Sequence, residues 1–143
     1  MLLKRDKTYE AYEMIKEQAA AGGCTVLILS AADCDSMAAT RILSYMLRSD
    51  NIQNTIQPVS STRDLERCRT QLEAGEIRSV FMVNCGAIVD VKEVFMLTRD
   101  DDIRCFILDS HRPVHLANIH AHEDLVVVMD DGILGEIDFP VSK

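Results

Sequence analysis

Two short runs, Thr25-Val-Leu-Ile-Leu29 and Val80-Phe-Met-Val83, carry apolar side chains almost without interruption, and they restrict the fold more than anything else in the chain. Successive side chains of a strand point to opposite faces, so a strand with no polar face has to be covered on both sides. That is the environment of a central strand in a parallel sheet layered between helices. The flanking segments fit the same scheme. Periodicity predicts helix 6–21, strand 24–30, helix 36–48, strand 52–58, helix 62–74, strand 78–84, helix 91–98, strand 103–108, a short helix 114–120 and strand 125–129,. Joined by right-handed crossovers, these units make an α/β three-layer domain, a five-stranded, mainly parallel sheet with helices on both faces,.

Local signals agree with these bounds. Ala39, Ile42, Leu43 and Met46 recur at helical spacing after Asp35-Ser36, and Leu65, Cys68 and Leu72 do so after Ser61-Thr62, with Gly75 placed to stop that helix,. Asp90-x-x-Glu93 has the form of a capping box,. No repeat or linker divides the 143 residues, and 48% apolar content suits one packed core,. The stretch Glu136 to Lys143 closes no element and reads as the edge of a piece from a longer chain.

Charge narrows the partners. A net charge of −8 repels a duplex phosphate backbone unless the cations cluster on one face,. The excess is uneven, with 11 acidic against 10 basic side chains in residues 1–83 and 12 against 5 in residues 84–143. The second half is therefore the side expected to meet a basic partner. Five cysteines without a C-x-x-C pair, behind an amino terminus that lacks signal-peptide character, point to reduced thiols in the cytosol or nucleus rather than to zinc or disulfides,. The longest apolar run, Leu125 to Met129, has five residues, far below a membrane span, so no membrane partner is expected,.

In an open parallel sheet, ligands bind outside the carboxyl ends of the strands. The residues there are acidic or polar: Ala31-Ala-Asp33-Cys-Asp35-Ser36, Asn84-Cys-Gly86, Asp109-Ser110-His111-Arg112-Pro113 and Asp130-Asp131-Gly132. Oxygen ligands and an imidazole converging from separate strands suit magnesium or manganese. Each piece also has a plain structural reading. Asp33 and Asp35 suit the amino end of the next helix, His111 suits an ordinary loop, Pro113 suits the first position of a short helix, and Asp130-Asp131-Gly132 is a turn signal,. Asp100-Asp101-Asp102 reads as a solvated connection, and His115, His120 and His122 read as surface residues,.

The order D-x-D, N-x-G and D-S-H after strands one, three and four resembles the DHH phosphoesterase superfamily, which includes RecJ-type exonucleases and inorganic pyrophosphatases. Within it, Asp33-Cys-Asp35-Ser-Met-Ala-Ala-Thr-Arg-Ile-Leu43, Asn84-Cys-Gly86-Ala-Ile-Val-Asp90 and Asp109-Ser-His-Arg-Pro-Val114 resemble the amino-terminal domain of the cell division cycle 45 family over nearly the whole chain. Active DHH enzymes carry Asp at the position of Asn84 and His at the position of Ser110, and many carry His where Leu29 stands. The resemblance implies that residues 1–143 are a DHH-like domain, the amino-terminal part of a longer protein, with a vestigial site at Asp33, Asp35, Asn84, Asp109, Ser110 and His111. No catalytic residue, metal or cofactor is expected. Asp33, Asp35, Asp109 and His111, with Asp131 as a further candidate, are too few for a two-metal centre,.

The same resemblance implies a non-catalytic, nuclear subunit of the eukaryotic replicative DNA helicase, required for initiation and elongation of replication. Its implied partners are the MCM hexamer and the GINS complex, with single-stranded DNA reached through the full-length protein. The alternative is an active manganese-dependent phosphoesterase or exonuclease on single-stranded nucleic acid, resting on the surviving Asp33, Asp35, Asp109 and His111. A receiver-like phosphoacceptor domain fits less well, because Asp130-Asp131-Gly132 supplies no Lys after the last strand.

Overall fold

The computed structural model describes residues 1–22, 25–121 and 125–130. Strands β1 (Leu2–Leu3), β2 (Thr25–Ala31), β3 (Asn54–Val59), β4 (Ile77–Val83), β5 (Arg104–Leu108) and β6 (Val126–Met129) form one sheet in the order β1-β6-β5-β4-β2-β3. Every neighbouring pair is parallel. The sequence suggests five strands and the structure has six. The extra strand, β1, is only Leu2 and Leu3 set against Val128 and Met129, and two residues carry no periodicity to read.

Helices α1 (Thr8–Gly22) and α2 (Cys34–Ser49) cover one face, and α3 (Thr62–Glu73), α4 (Val91–Val94) and α5 (Leu116–His120) cover the other. The apolar runs are divided between these layers as strand geometry requires. Val26 and Ile28 pack with Ala11, Ile15 and Leu47, whereas Leu27 and Leu29 pack with Leu65, Leu72 and Val91. After β2 the chain adds β3 on one side and then β4 on the other. The strand order reverses there, and a crevice opens between the carboxyl ends of β2 and β4.

Two local expectations are corrected. Helix α4 is a single turn rather than a helix over 91–98, because Met96 takes a left-handed φ of 53° that ends it and returns Leu97 to the core. Pro113 does not open a helix. It follows a cis peptide bond to Arg112, and α5 begins only at Leu116 with His115 as its cap, the ring Nδ1 accepting from the Ala117 amide at 3.3 Å. Helix α2 turns only part of its apolar stripe inward: Ala39 and Leu43 pack half-buried against the core. Ser36, Thr40, Ser44 and Leu47 are fully buried, while Ile42 is 63% and Met46 43% exposed. Two of those buried hydroxyls are hydrogen-bonded, Ser36 to Asp33 and Ser44 to Asn54 at 2.8 and 2.7 Å. No helix among the described residues is long and apolar enough to cross a membrane.

Candidate functional site

Asp33 ends the turn out of β2 in extended conformation and caps α2. One carboxylate oxygen accepts from the Ser36 amide and the other from the Ser36 hydroxyl, both at 2.8 Å. These bonds, the backbone amide first, hold its pKa below the usual value of 3.8,. The capping reading of Asp33 is therefore realised in the fold. Asp35, in the first turn, is exposed and favourably placed at the positive end of the helix dipole,.

Asn84 leaves β4 in the left-handed region, φ 54°, a conformation that Asn adopts more readily than most residues,. Its amide donates to the Leu108 carbonyl at 2.7 Å, which fixes the ends of β4 and β5 together. Its side chain then bridges the crevice. Nδ2 donates to Asp33 at 3.2 Å, and Oδ1 accepts from the Ser110 hydroxyl at 3.0 Å and the Ser110 amide at 3.4 Å. A carboxamide can donate on one side and accept on the other, which an ionised carboxylate at this position could not.

Asp109 lies deeper, its side chain 1% exposed. One oxygen accepts from the Ala87 amide at 3.0 Å, and the other takes the His111 amide at 2.9 Å and faces the His111 Nδ1 at 2.6 Å. Arg112 closes this corner by donating to the carbonyls of Asp109 and His111. Cys85, the thiol of the crevice, is pushed up to about 12 mainly by burial, so it remains protonated and is no nucleophile,.

The loop that presents the Ala87 amide is held by a residue to which the sequence assigns no role. Asn118 of α5 is 1% exposed; its Oδ1 accepts from the Val91 amide, and its Nδ2 donates to the carbonyls of Gly86, Ala87 and Val89 at 3.2, 3.3 and 2.7 Å. The one hint in the sequence is a carboxamide inside the short apolar helix Leu116-Ala-Asn-Ile. Gly86 has φ +96°, and a Cβ there would fall 2.5 Å from the Met82 methyl.

The structure thus gathers Asp33, Asn84 and Ser110 into one hydrogen-bonded group and Asp109 with His111 into an adjoining one, while Asp35 stands apart on α2. Recesses of about 470 and 260 Å³ lie to either side, and Asp33, Asn84 and Asp109 line both. A divalent cation is a poor fit to this donor set. Both oxygens of Asp33 and of Asp109 already accept hydrogen bonds, and the Asn84 amide turns a donor toward the carboxylate it would have to share. Among the described residues, no three His, Cys, Asp or Glu side chains are grouped to hold a metal ion. Asp131 and His122 lie outside the described residues. Asp100 to Asp102 are exposed and distant in role, Asp101 accepting from Thr98 and Asp102 pairing with Arg78.

The family model described as CDC45 matches residues 26–138. The cell division control protein 45 homolog of Schizosaccharomyces pombe is 41% identical over 138 residues, covering 95% of this chain and 21% of the relative. The chain thus spans about one fifth of that relative's length. The crystal structure of CDC45 from Entamoeba histolytica superposes with a TM-score of 0.77 at 20% identity, covering 95% of this chain and 27% of the other. The crystal structure of RecJ in complex with Mn2+ from Thermus thermophilus gives 0.57 at 18% identity, covering 81% of this chain and 16% of the other. These two likenesses concern the fold.

Proposed function

The chain belongs to the CDC45 family, and from that membership we propose that it acts in DNA replication as the amino-terminal DHH-like domain of a longer, nuclear, non-catalytic subunit of the replicative helicase. On this reading its partners are the MCM hexamer and the GINS complex, and its task is binding. The observation that carries the non-catalytic part is the Asn84 carboxamide, which spends both ends on Asp33 and Ser110 where an active relative carries a metal-bridging carboxylate. The crevice is then an internal clamp that ties the ends of β2, β4 and β5 together.

Co-purification from replicating cells tests the assignment. The full-length protein that carries this domain should come down with MCM and GINS, and its absence from both would overturn the proposal. The shared fold with RecJ keeps one rival in play, a manganese-dependent phosphoesterase on single-stranded nucleic acid. Incubation of the chain with manganese and an end-labelled oligonucleotide should release no mononucleotide above a buffer control. Release that rises with enzyme concentration would favour the rival. Contact with single-stranded DNA belongs to the full-length protein on this reading, because phosphate neutralisation needs clustered cations that a chain of net charge −8 supplies poorly,.

A further inference from the structure

The sheet ends at β3, which pairs with β2 alone. Residues of a parallel strand alternate between bonding one neighbour and facing the other side. The Val26 amide donates to the Gln53 carbonyl at 2.9 Å, so residues 53, 55, 57 and 59 bond to β2, while Asn54, Ile56 and Pro58 turn their backbone groups outward. Pro58 agrees with this parity, because a residue without an N–H is tolerated where the strand faces solvent. Ile56 is 39% exposed.

One flank of α2 borders this edge. The Ser44 hydroxyl donates to Asn54 at 2.7 Å, and Arg48 lines a recess of about 450 Å³ together with Asn54 and Thr55. The helix runs back against the strand it covers, so two residues of β3, about 6.6 Å, match four of α2, about 6 Å. Ile56 therefore lies level with Thr40 and Arg41. Arg41 and Arg48, two turns apart on this flank, are exposed and make no hydrogen bond or ion pair with another described residue. Between them Tyr45 is 74% exposed. Helical spacing puts Asp35 and Asp50 on the other side of α2, where Asp50 accepts from Tyr12,. No acidic side chain lines the recess.

In a chain of net charge −8, two guanidinium groups without a carboxylate are a local reversal of sign. They are too few to hold a nucleic-acid backbone, which needs several clustered cations. Outward N–H and C=O groups match the backbone of an extended peptide. A second copy that paired its own β3 here about a two-fold axis would set arginines against arginines. Proline and cations on an edge turn away unselected strands, and a strand that brings carboxylates is the kind they admit. We propose, building on the helicase reading above, that the open edge of β3 receives an extended acidic segment of a partner protein. Its backbone pairs with Asn54, Ile56 and the Pro58 carbonyl, and its carboxylates meet Arg48 and Arg41.

The test is made in the full-length protein that carries this domain. Arg41→Glu and Arg48→Glu are compared singly and together, with Ile56→Pro, which removes an outward N–H and leaves the ladder to β2 untouched. Arg63→Glu, an exposed charge reversal on α3 across the sheet, is the control. Circular dichroism and thermal midpoints first establish that each variant is folded, and the arginine variants carry the test if Ile56→Pro does not fold. Purified MCM hexamer and purified GINS are then titrated separately. The wild type and Arg63→Glu should bind one of the two equally. Each variant of the edge should bind it about tenfold more weakly, and the double arginine variant should also show a shallower salt dependence. Hydrogen exchange of the wild-type complex should show the Asn54 and Ile56 amides protected. Wild-type affinity in the arginine variants, or edge amides that stay unprotected, would overturn the edge and leave the helicase reading intact. Failure of the wild type to bind either complex would overturn both. A labelled oligothymidylate that the wild type binds and the arginine variants lose would make nucleic acid the occupant, and self-association lost in the same variants would make it a second copy. Either result would overturn the acidic-partner assignment.

Discussion

Asn84 and Asp33 face each other across 3.2 Å with a donor on one side and an acceptor on the other. In Asn84→Asp the donor is lost and two carboxylates compete for the same space, so the folded state should lose about 1–2 kcal/mol at neutral pH, read from urea denaturation. The new acid is raised in the fold, so from neutral to about pH 4 the variant should gain stability relative to the parent as it takes up a proton. The parent behaves oppositely at lower pH. Asp33 has a folded pKa below its ordinary 3.8, chiefly through the Ser36 amide, so its contribution is present above that value and is lost as pH falls through the lowered folded value. Parallel pH curves for the two proteins would refute the bridge. A second residue-scale effect is larger: Asn118→Ala leaves the Val91 amide and three loop carbonyls without their side-chain partner and should cost about 2–4 kcal/mol in the same assay,. A cost near zero would mean that water replaces it. Asn84 and Asp109 were legible as site residues because each follows a strand. Asn118 was not, since its partners are backbone groups of a loop whose shape no periodicity records.

Helix α2 separates two properties that periodicity alone confounds, being helical and burying a given face. Its stripe of Ala39, Ile42, Leu43 and Met46 identified the helix correctly, yet the fully buried side chains are Ser36, Thr40, Ser44 and Leu47, with Ala39 and Leu43 half-buried against the core and Ile42 and Met46 facing out. A helix with apolar residues on a flank that its own sheet does not cover offers two candidate inner faces, and the packed structure selects between them. Paired substitutions make the distinction measurable. Leu47→Ala, at a fully buried position, should cost about 2–5 kcal/mol,, whereas Ile42→Ser should stay within about 0.5 kcal/mol of the parent,. Equal losses would place Ile42 in the core and rotate the helix. The central strands were readable because β2 and β4 are covered on both sides and show no polar face. The two-residue edge strand β1 was not, being too short to show a period, and of α4 only the start was legible, from its Asp90 cap, because its end is set by the left-handed turn at Met96.

At the scale of the whole molecule, the two helical layers and the sheet determine where strand order reverses, and that geometry brings Asp33, Asn84, Asp109, Ser110 and His111 to one crevice. The grouping followed from strand ends in the sequence. Its internal hydrogen bonding did not, since spacing cannot say which carboxylate oxygen is already occupied. A restoration experiment asks whether this architecture still encodes a metal centre. Asn84→Asp together with Ser110→His returns two ligand types to a set that holds Asp33, Asp35 and Asp109, while removing the donor that now occupies Asp33 and the hydroxyl that occupies residue 84. Without metal, the double variant should melt below the parent, because the added carboxylate meets like charge. With manganese the order of response should reverse. A ligand that binds only the folded state stabilises it by RT ln(1 + [L]/Kd), roughly 2.7 kcal/mol at a hundredfold excess over Kd. The thermal midpoint of the variant should therefore climb with manganese concentration while the parent stays flat. Hydrolysis need not return with the metal, because binding and turnover are separate requirements. A parent whose midpoint climbs more steeply than the variant's would mean that the native crevice holds the ion despite its engaged oxygens, and the phosphoesterase reading would then be the better one.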